Sequence, residues 1–222
     1  MTVVAHVEGE GYKMARYTGP TCRLCRHLGE KLMLKGEKCP SPKCPLERRS
    51  ARSKKGRFSS RQRISDRGLQ LREKQKIRFS YGVLERQFRK IFAKAMKTPG
   101  ITGDNLMILL EMRLDNVAYR LGFAESRAQA RQIVSHGHIS VNGRKVNIPS
   151  SFIKSGDMIE WRETSTDTEY YKSLVERIKG NVTPAWLSLD EEKMKGIVLA
   201  LPGYDDIEDR FNAKSVIAYY SR

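Results

Sequence analysis

Charge in this chain is segregated, and that limits what its first half can fold into. Residues 1–100 carry 26 Lys and Arg against 8 Asp and Glu, whereas residues 101–222 carry 16 against 17, so nearly all of the formal +17 lies in the first half. A segment of that density repels itself unless carboxylates or a polyanion neutralise it, so a phosphate-rich partner is expected. A membrane surface is the other polyanion. No stretch approaches the roughly 20 apolar residues of a spanning helix, and Met1 to Gly11 holds Glu8 and Glu10 without Lys or Arg, unlike a secretory signal. The reading is therefore a cytoplasmic protein with no membrane partner and no small-molecule substrate.

Residues 1–13 share neither the apolar periodicity nor the charge density that follows. They read as an N-terminal extension or as an upstream misreading of a start at Met14. Residues 14–47 hold all four cysteines and Pro20, Pro40, Pro42 and Pro45. They predict a loop module, not a helix, ordered by something other than an apolar core. Cys22 and Cys25 are two residues apart, Cys39 follows after thirteen, and Cys44 after four more. Two close pairs joined by a loop suit a tetrahedral thiolate site, so the expected cofactor is one structural Zn²⁺ on Cys22, Cys25, Cys39 and Cys44; an iron–sulfur cluster or four reduced thiols are the alternatives. The neighbouring Arg23, Arg26, Lys38 and Lys43 favour thiolates, and His27 is a bystander.

Residues 48–112 form a basic segment and helical body. From Arg48 to Arg78 there are thirteen cations, namely Arg48, Arg49, Arg52, Lys54, Lys55, Arg57, Arg61, Arg63, Arg67, Arg72, Lys74, Lys76 and Arg78, against Asp66 and Glu73. This run is expected to bind RNA phosphates and to stay loose without them. Tyr81–Lys97 predicts a helix with Leu84, Phe88, Ile91, Phe92 and Ala95 on one face and Arg86, Arg89, Lys90 and Lys94 elsewhere. Thr98, Pro99 and Gly100 break it, and Asp104 is expected to cap the next helix, whose stripe runs from Leu106 through Leu110, Leu114, Val117 and Ala118 to Leu121.

Residues 113–163 read as a compact RNA-binding module. A helix is expected over Ser126–His136 and a hairpin around Asn142–Gly143, a pair that tolerates the positive φ of a type I′ turn. Arg113, Arg120, Arg127, Arg131, His136, His138, Asn142, Arg144 and Lys145 would then line one RNA groove beside helix N-termini. On this reading, replacing Arg127 and Arg131 weakens RNA binding without unfolding the module. His136 and His138 lack a nearby carboxylate cluster or nucleophile, so no catalytic residue is assigned. In residues 164–222, which pack back on the body, Tyr171, Leu174, Val175 and Ile178 suggest a helix, and Ser215–Tyr220 reads as a buried strand. The fold class is α+β, a mostly helical body with an inserted helix-hairpin module.

Four long stretches carry a resemblance. MARYTGPTCRLCRHLGEKL from Met14, SDRGLQLREKQKIRFSYGVLERQFRKIF from Ser65, RLDNVAYRLGFAESRAQARQIVSHGHISVNGRKVNIPS from Arg113 and TPAWLSLD from Thr183 resemble, in order and spacing, the universal small-subunit ribosomal protein number four family in its bacterial form, and the cysteines resemble its zinc-bearing branch. The resemblance covers Met14 to Arg222. It implies a non-enzymatic constituent of the small ribosomal subunit in the cytoplasm that binds the 5′ domain of small-subunit rRNA early and nucleates its assembly. It also implies a place where mRNA enters, beside the third and fifth small-subunit proteins, with effects on translational fidelity and mRNA unwinding, and in some members repression of their own mRNA. Gly203, Tyr204, Ala213 and Ala218 depart from residues common in that family, which affects the expected protein–protein interface.

Two rivals are weaker. An RNA-modifying enzyme could carry the same small module, but residues 164–222 are too few for a catalytic domain. A zinc-dependent DNA-binding regulator would place a recognition helix near its ligands, which the prolines between Cys39 and Pro45 disfavour.

Overall fold

A computed structural model describes residues 17–48, 64–203, 206–208 and 210–221. The extension at 1–13, the cations Arg49, Arg52, Lys54, Lys55, Arg57, Arg61 and Arg63, and Tyr204 lie outside the described residues.

The helices are α1 (Thr21–Leu28), α2 (Asp66–Ser80), α3 (Glu85–Lys97), α4 (Thr102–Glu111), α5 (Leu114–Arg120), α6 (Arg127–His136), α7 (Glu169–Ile178) and α8 (Ala213–Tyr220). The strands are β1 (Ile139–Val141), β2 (Arg144–Lys145), β3 (Met158–Trp161), β4 (Leu187–Asp190) and β5 (Lys195–Val198), all antiparallel, in the order β2-β1-β3-β5-β4. The architecture is α+β, as expected from sequence.

Three apolar clusters organise the chain. In the body, Ile77, Phe88, Ile91, Phe92 and Ala95 pack with Leu106, Leu110 and Val216. The second cluster joins α5 and α6 to the sheet and α7 through Leu114, Val117, Leu121, Ile133, Ile159, Trp161, Leu174 and Val198. Gly196 lies in β5 directly under α5, where an added Cβ would stand 2.5 Å from Leu121 Cδ1. Strands β4 and β5, unforeseen from sequence, thus extend the sheet of the RNA-binding module beyond residue 163.

The third cluster corrects the reading of residues 14–47 as helix-free loops. Leu24, Leu28 and Leu32 are buried together, with Phe79 of α2 against them. Leu24 and Leu28 lie one turn apart, so burying them selects the helix α1. Pro20 precedes its first turn and Pro45 opens a helical turn over 45–48, positions where proline's missing N–H costs nothing. Arg72 closes the other end of α1 by donating to the carbonyl of Leu28.

Four further expectations need correction. The helix predicted from Tyr81 begins at Glu85, because Tyr81 closes α2 with its N–H on the Ile77 carbonyl. Asp104 does not cap α4; the cap position is Ile101, without a side-chain bond. The stripe from Leu106 to Leu121 is two helices. Arg113 is extended (φ −77°, ψ 140°), and residues 149–153 dock along the break. Leu114 N–H donates to Ser151 O (2.8 Å), Asp115 N–H to Pro149 O (3.1 Å) and Ile153 N–H to Met112 O (2.9 Å). The first two bonds satisfy donors that a helix start leaves open, and the third satisfies a carbonyl at the end of α4.

Ser215–Tyr220, read as a strand, lies in α8. Asn212 caps it by accepting from Ser215 N–H at 3.1 Å. Ala213, Val216, Ile217 and Tyr220 follow helical spacing onto the body core, whereas a short apolar run alone does not separate helix from strand. The small Ala213 permits close approach to α4, since a Cβ on Gly103 would meet its Cβ at 3.2 Å.

Candidate nucleic-acid interface

The cations assigned to RNA from sequence divide by burial. On α2, Lys74 is buried and 2.8 Å from Glu85 Oε1, with the Tyr219 ring beneath it at 4.9 Å. Lys76 pairs with Glu30 at 2.7 Å, and Arg78 pairs with Glu85 at 3.3 Å. These charges bind α1, α2, α3 and α8 to one another. The expected looseness of Arg48–Arg78 therefore does not describe residues 66–78, which form a helix anchored by internal carboxylates; Arg67 and Arg48 remain exposed.

The module arginines behave the same way. Arg113 is 1% exposed, its guanidinium held by both carboxylate oxygens of Asp115 at 3.0 and 2.6 Å. Glu111 is wholly buried and accepts from Arg120 at 2.9 and 2.7 Å, from Asn116 at 2.6 Å and from the Tyr81 hydroxyl at 2.5 Å. Arg127 donates to Asn116 (2.7 Å) and Glu208 (2.8 Å) and lies over the Tyr81 and Tyr119 rings. Arg131 reaches Asp115 and the Gly82 carbonyl, each at 3.4 Å.

This network sets protonation. Burial pushes the Glu111 carboxyl up, but the guanidiniums of Arg120 and Arg127 and the Tyr81 hydroxyl outweigh it and hold Glu111 below the usual carboxylate range. Glu208 is likewise lowered, its burial overcome chiefly by Arg127. Burial, then the Glu111 charge, drives the Tyr81 phenol well above its ordinary value. Arg120 and Arg127, expected to face RNA, thus join the body to the module, and Arg113 is held inside the module by Asp115. Sequence spacing could not show this because Glu208 is distant in the chain.

An exposed cationic face lies elsewhere. Arg86, Lys90, Lys94 and Lys97 follow one side of α3 and are exposed, opposite buried Phe88, Ile91, Phe92 and Ala95. Arg86, Lys90 and Lys97 have no hydrogen bond or ion pair among the described residues. Their solvent-facing side was evident from helical spacing, yet the expected RNA site omitted them. Lys94 Nζ lies 4.3 Å from the centre of the half-exposed Phe152 ring, which carries the face onto the module at exposed Lys154. Lys154 N–H donates to Asp157, and the other Asp157 oxygen accepts from Asn142 at 2.9 Å. Asn142 (φ 50°) and Gly143 (φ 75°) make the expected tight turn, and Arg144 and Lys145 are exposed just beyond. The structure thus connects α3, residues 152–154 and the β1–β2 hairpin as one accessible surface.

His136 is exposed beside half-buried His138, whose Nδ1 lies 3.0 Å from Ser165 Oγ. Burial first, then His136 and Arg162, lowers the His138 pKa. None of the four cysteines is in a disulfide; three are partly exposed and Cys44 is buried. Burial, then the nearby Cys39, Cys22 and Cys44, raises the Cys25 thiol against a bond from the Leu32 backbone, and Lys35 N–H points at Cys39 Sγ from 3.3 Å. Among the described residues, no three or more His, Cys, Asp and Glu side chains are drawn together as a metal-holding group. No helix among them is long and apolar enough to cross a membrane.

Residues 16–111 match the ribosomal protein S4/S9 N-terminal domain, and residues 112–159 match the S4 domain. The small ribosomal subunit protein uS4 of Dehalococcoides mccartyi (strain CBDB1) is 56% identical over 209 residues, covering 94% of this chain and 100% of that protein. Proteins of the same name from Heliobacterium modesticaldum (strain ATCC 51547 / Ice1) and Pelotomaculum thermopropionicum (strain DSM 13744 / JCM 10971 / SI) are each 51% identical over 210 residues, with the same coverage. With residues 16–159 matched in order by the two domains of that family and 56% identity to a relative covered over its whole length, the chain belongs to the ribosomal protein uS4 family.

Proposed function

We propose that this protein is a structural constituent of the small ribosomal subunit that works in the cytoplasm by binding small-subunit rRNA directly. The observation that carries this reading is the match over the whole length of relatives named small ribosomal subunit protein uS4. The protein is not an enzyme; its chemistry is charge placement. The α3 face and hairpin supply phosphate contacts, and the helix–sheet scaffold fixes where those contacts fall. Folded RNA is read through its backbone and 2′-hydroxyls, because the deep A-form groove hides the bases.

More finely, the protein nucleates assembly of the 5′ domain and stands where mRNA enters, beside the third and fifth small-subunit proteins. One structural Zn²⁺ on Cys22, Cys25, Cys39 and Cys44 completes the N-terminal module. The donor set supports this: α1 carries two thiols one turn apart, the thiols influence one another, and Lys35 N–H donates to Cys39 sulfur as an outer-shell group does. The ion would cross-link these segments and supply no reaction. Cys25→Ser should then loosen residues 17–48 to protease more than the helical body, and equal sensitivity with and without the change would refute a structural metal.

The rRNA reading is tested by binding the full chain to 5′-domain fragments and to unrelated RNA of equal length across a salt series. A preference that survives physiological salt is expected. Equal binding to both, lost together as salt rises, would reduce the protein to a polycation.

A further inference from the structure

One concavity of the module is unlike the cationic face. It encloses about 280 Å³ between the end of α6, the start of β1 and the start of α7. Its rings form a ladder. His138 and Trp161 are stacked at 5.8 Å with 7° between planes, Tyr170 stacks on Trp161 at 6.0 Å, and His136 stands 5.9 Å from His138. Gln129 and Gln132 bring side-chain amides to the rim; Gln129 Oε1 accepts from Glu125 N–H, while Gln132 is exposed without a hydrogen bond among the described residues.

A dry core cluster would not hold free amide and imidazole groups at an open mouth. A nucleobase needs both elements, a ring surface for its π-face and short donors and acceptors for its edge. A cation completes the arrangement. Lys145 folds over Gly137, between the two histidines, with its Nζ 3.2 Å from where a glycine Cβ would stand. It can meet the phosphate of a nucleotide whose base is inserted. His138, with its pKa lowered, offers an uncharged ring at neutral pH.

We infer that this concavity, walled by His136, His138, Trp161 and Tyr170, receives one unpaired nucleobase of the bound RNA and reads its edge with Gln129 and Gln132. The inference rests on the rRNA-binding reading above and adds a base-selective contact to a surface otherwise built for phosphate.

Ultraviolet cross-linking of the full chain to the 5′-domain rRNA fragment, with binding titrations of the paired variant Gln132→Ala, His136→Ala, tests it. Both side chains are exposed, so the variant keeps its fold, which circular dichroism verifies. Wild type should cross-link through His136, His138 or Tyr170 to one unpaired nucleotide. The variant should lose that cross-link and bind about tenfold more weakly, with an unchanged salt slope because no phosphate contact is removed. A wild type that prefers the fragment but is matched by the variant in affinity and cross-links would overturn the pocket alone. A reduced salt slope in the variant would also overturn it, by marking a phosphate contact. No preference of the wild type for the fragment would remove the rRNA reading and the pocket with it. Free AMP, GMP, CMP and UMP separate the sources: displacement of the histidine ring NMR signals by one of them at micromolar concentration would assign the site to a free nucleotide instead of RNA.

Discussion

Arg120 and Arg127 lie on α5 and α6, and Arg86 and Lys90 lie on α3; all four come from helices with a buried apolar face. In the first pair the guanidiniums meet Glu111 and Glu208, and both are largely shielded from solvent. In the second pair no carboxylate among the described residues is in reach and the charges are exposed. The difference teaches that basic residues in this chain serve two purposes, and that the nearest carboxylate, not the count of cations, decides which. Where an acidic residue is buried nearby, the cation fastens one part of the fold to another. Where none is present, the charge is left for a polyanion.

The comparison breaks most sharply at Glu111. Glu111→Ala would strip Arg120 of the carboxylate it bonds twice in a shielded site, and loss of one partner from a buried pair costs about 3–5 kcal/mol. Urea denaturation of the free protein should show that loss, whereas Arg86→Ala with Lys90→Ala should stay within about 0.5 kcal/mol. If the two variants were equally stable, the division between fastening and binding charges would fail. The buried carboxylates of both networks fix an acid limit. Glu111, Glu208 and Glu85 all have lowered folded-state pKa values from an ordinary 4.5. A depressed carboxylate contributes stability that is present above its unfolded value and lost as pH falls through its folded value. The melting temperature should therefore ease as pH falls through about 6.5, where the lowered His138 acts in the same sense, and fall more steeply below about pH 4.5, and Glu111→Gln should flatten the steeper fall.

Next in size is the pair Arg127→Ala, Arg131→Ala. Sequence spacing treats both as RNA contacts whose loss spares the fold. With Arg127 bonded to Asn116 and Glu208 and stacked on two tyrosines, the double change should instead cost about 2–3 kcal/mol. Denaturation without RNA decides between the two readings: an unchanged midpoint would return these arginines to the RNA face.

What could be read in advance follows the range of the interactions. The helix ending at His136, the Asn142–Gly143 turn and the buried side of α3 were legible because each is settled within a few residues. The split at Met112–Arg113 was not, because its cause is a segment nearly 40 residues onward that donates and accepts along the break. The same holds for α8, whose helical state depends on the body surface it covers. For the site, sequence spacing could not separate the two kinds of cation: Lys74, Arg78, Arg120 and Arg127 meet carboxylates that the fold brings to them, while Arg86, Lys90 and Lys97 of α3 have no ion pair among the described residues.

Arg86→Ala with Lys90→Ala sharpens the comparison from the other side. Each lost phosphate contact should reduce the slope of log affinity against log salt by about 1. With stability unchanged, a lower slope would assign these side chains to phosphate directly, and an unaltered slope would remove α3 from the interface.

The smallest effect is expected at the hairpin. Asn142→Gly keeps the positive φ of the turn but removes two bonds, from its amide to Asp157 and from Met158 N–H to its oxygen, each 2.9 Å. A loss of about 1 kcal/mol follows if those bonds only support the strand end. Their position suggests a second consequence, because Asp157 also holds the Lys154 backbone and so links the hairpin to the Phe152–Lys94 contact. RNA affinity should then fall further when salt is low, where phosphate contacts weigh most, than when it is high. An affinity loss that is constant across salt would mean that the hairpin and the α3 face bind independently, and that the continuity of the surface has no energetic meaning.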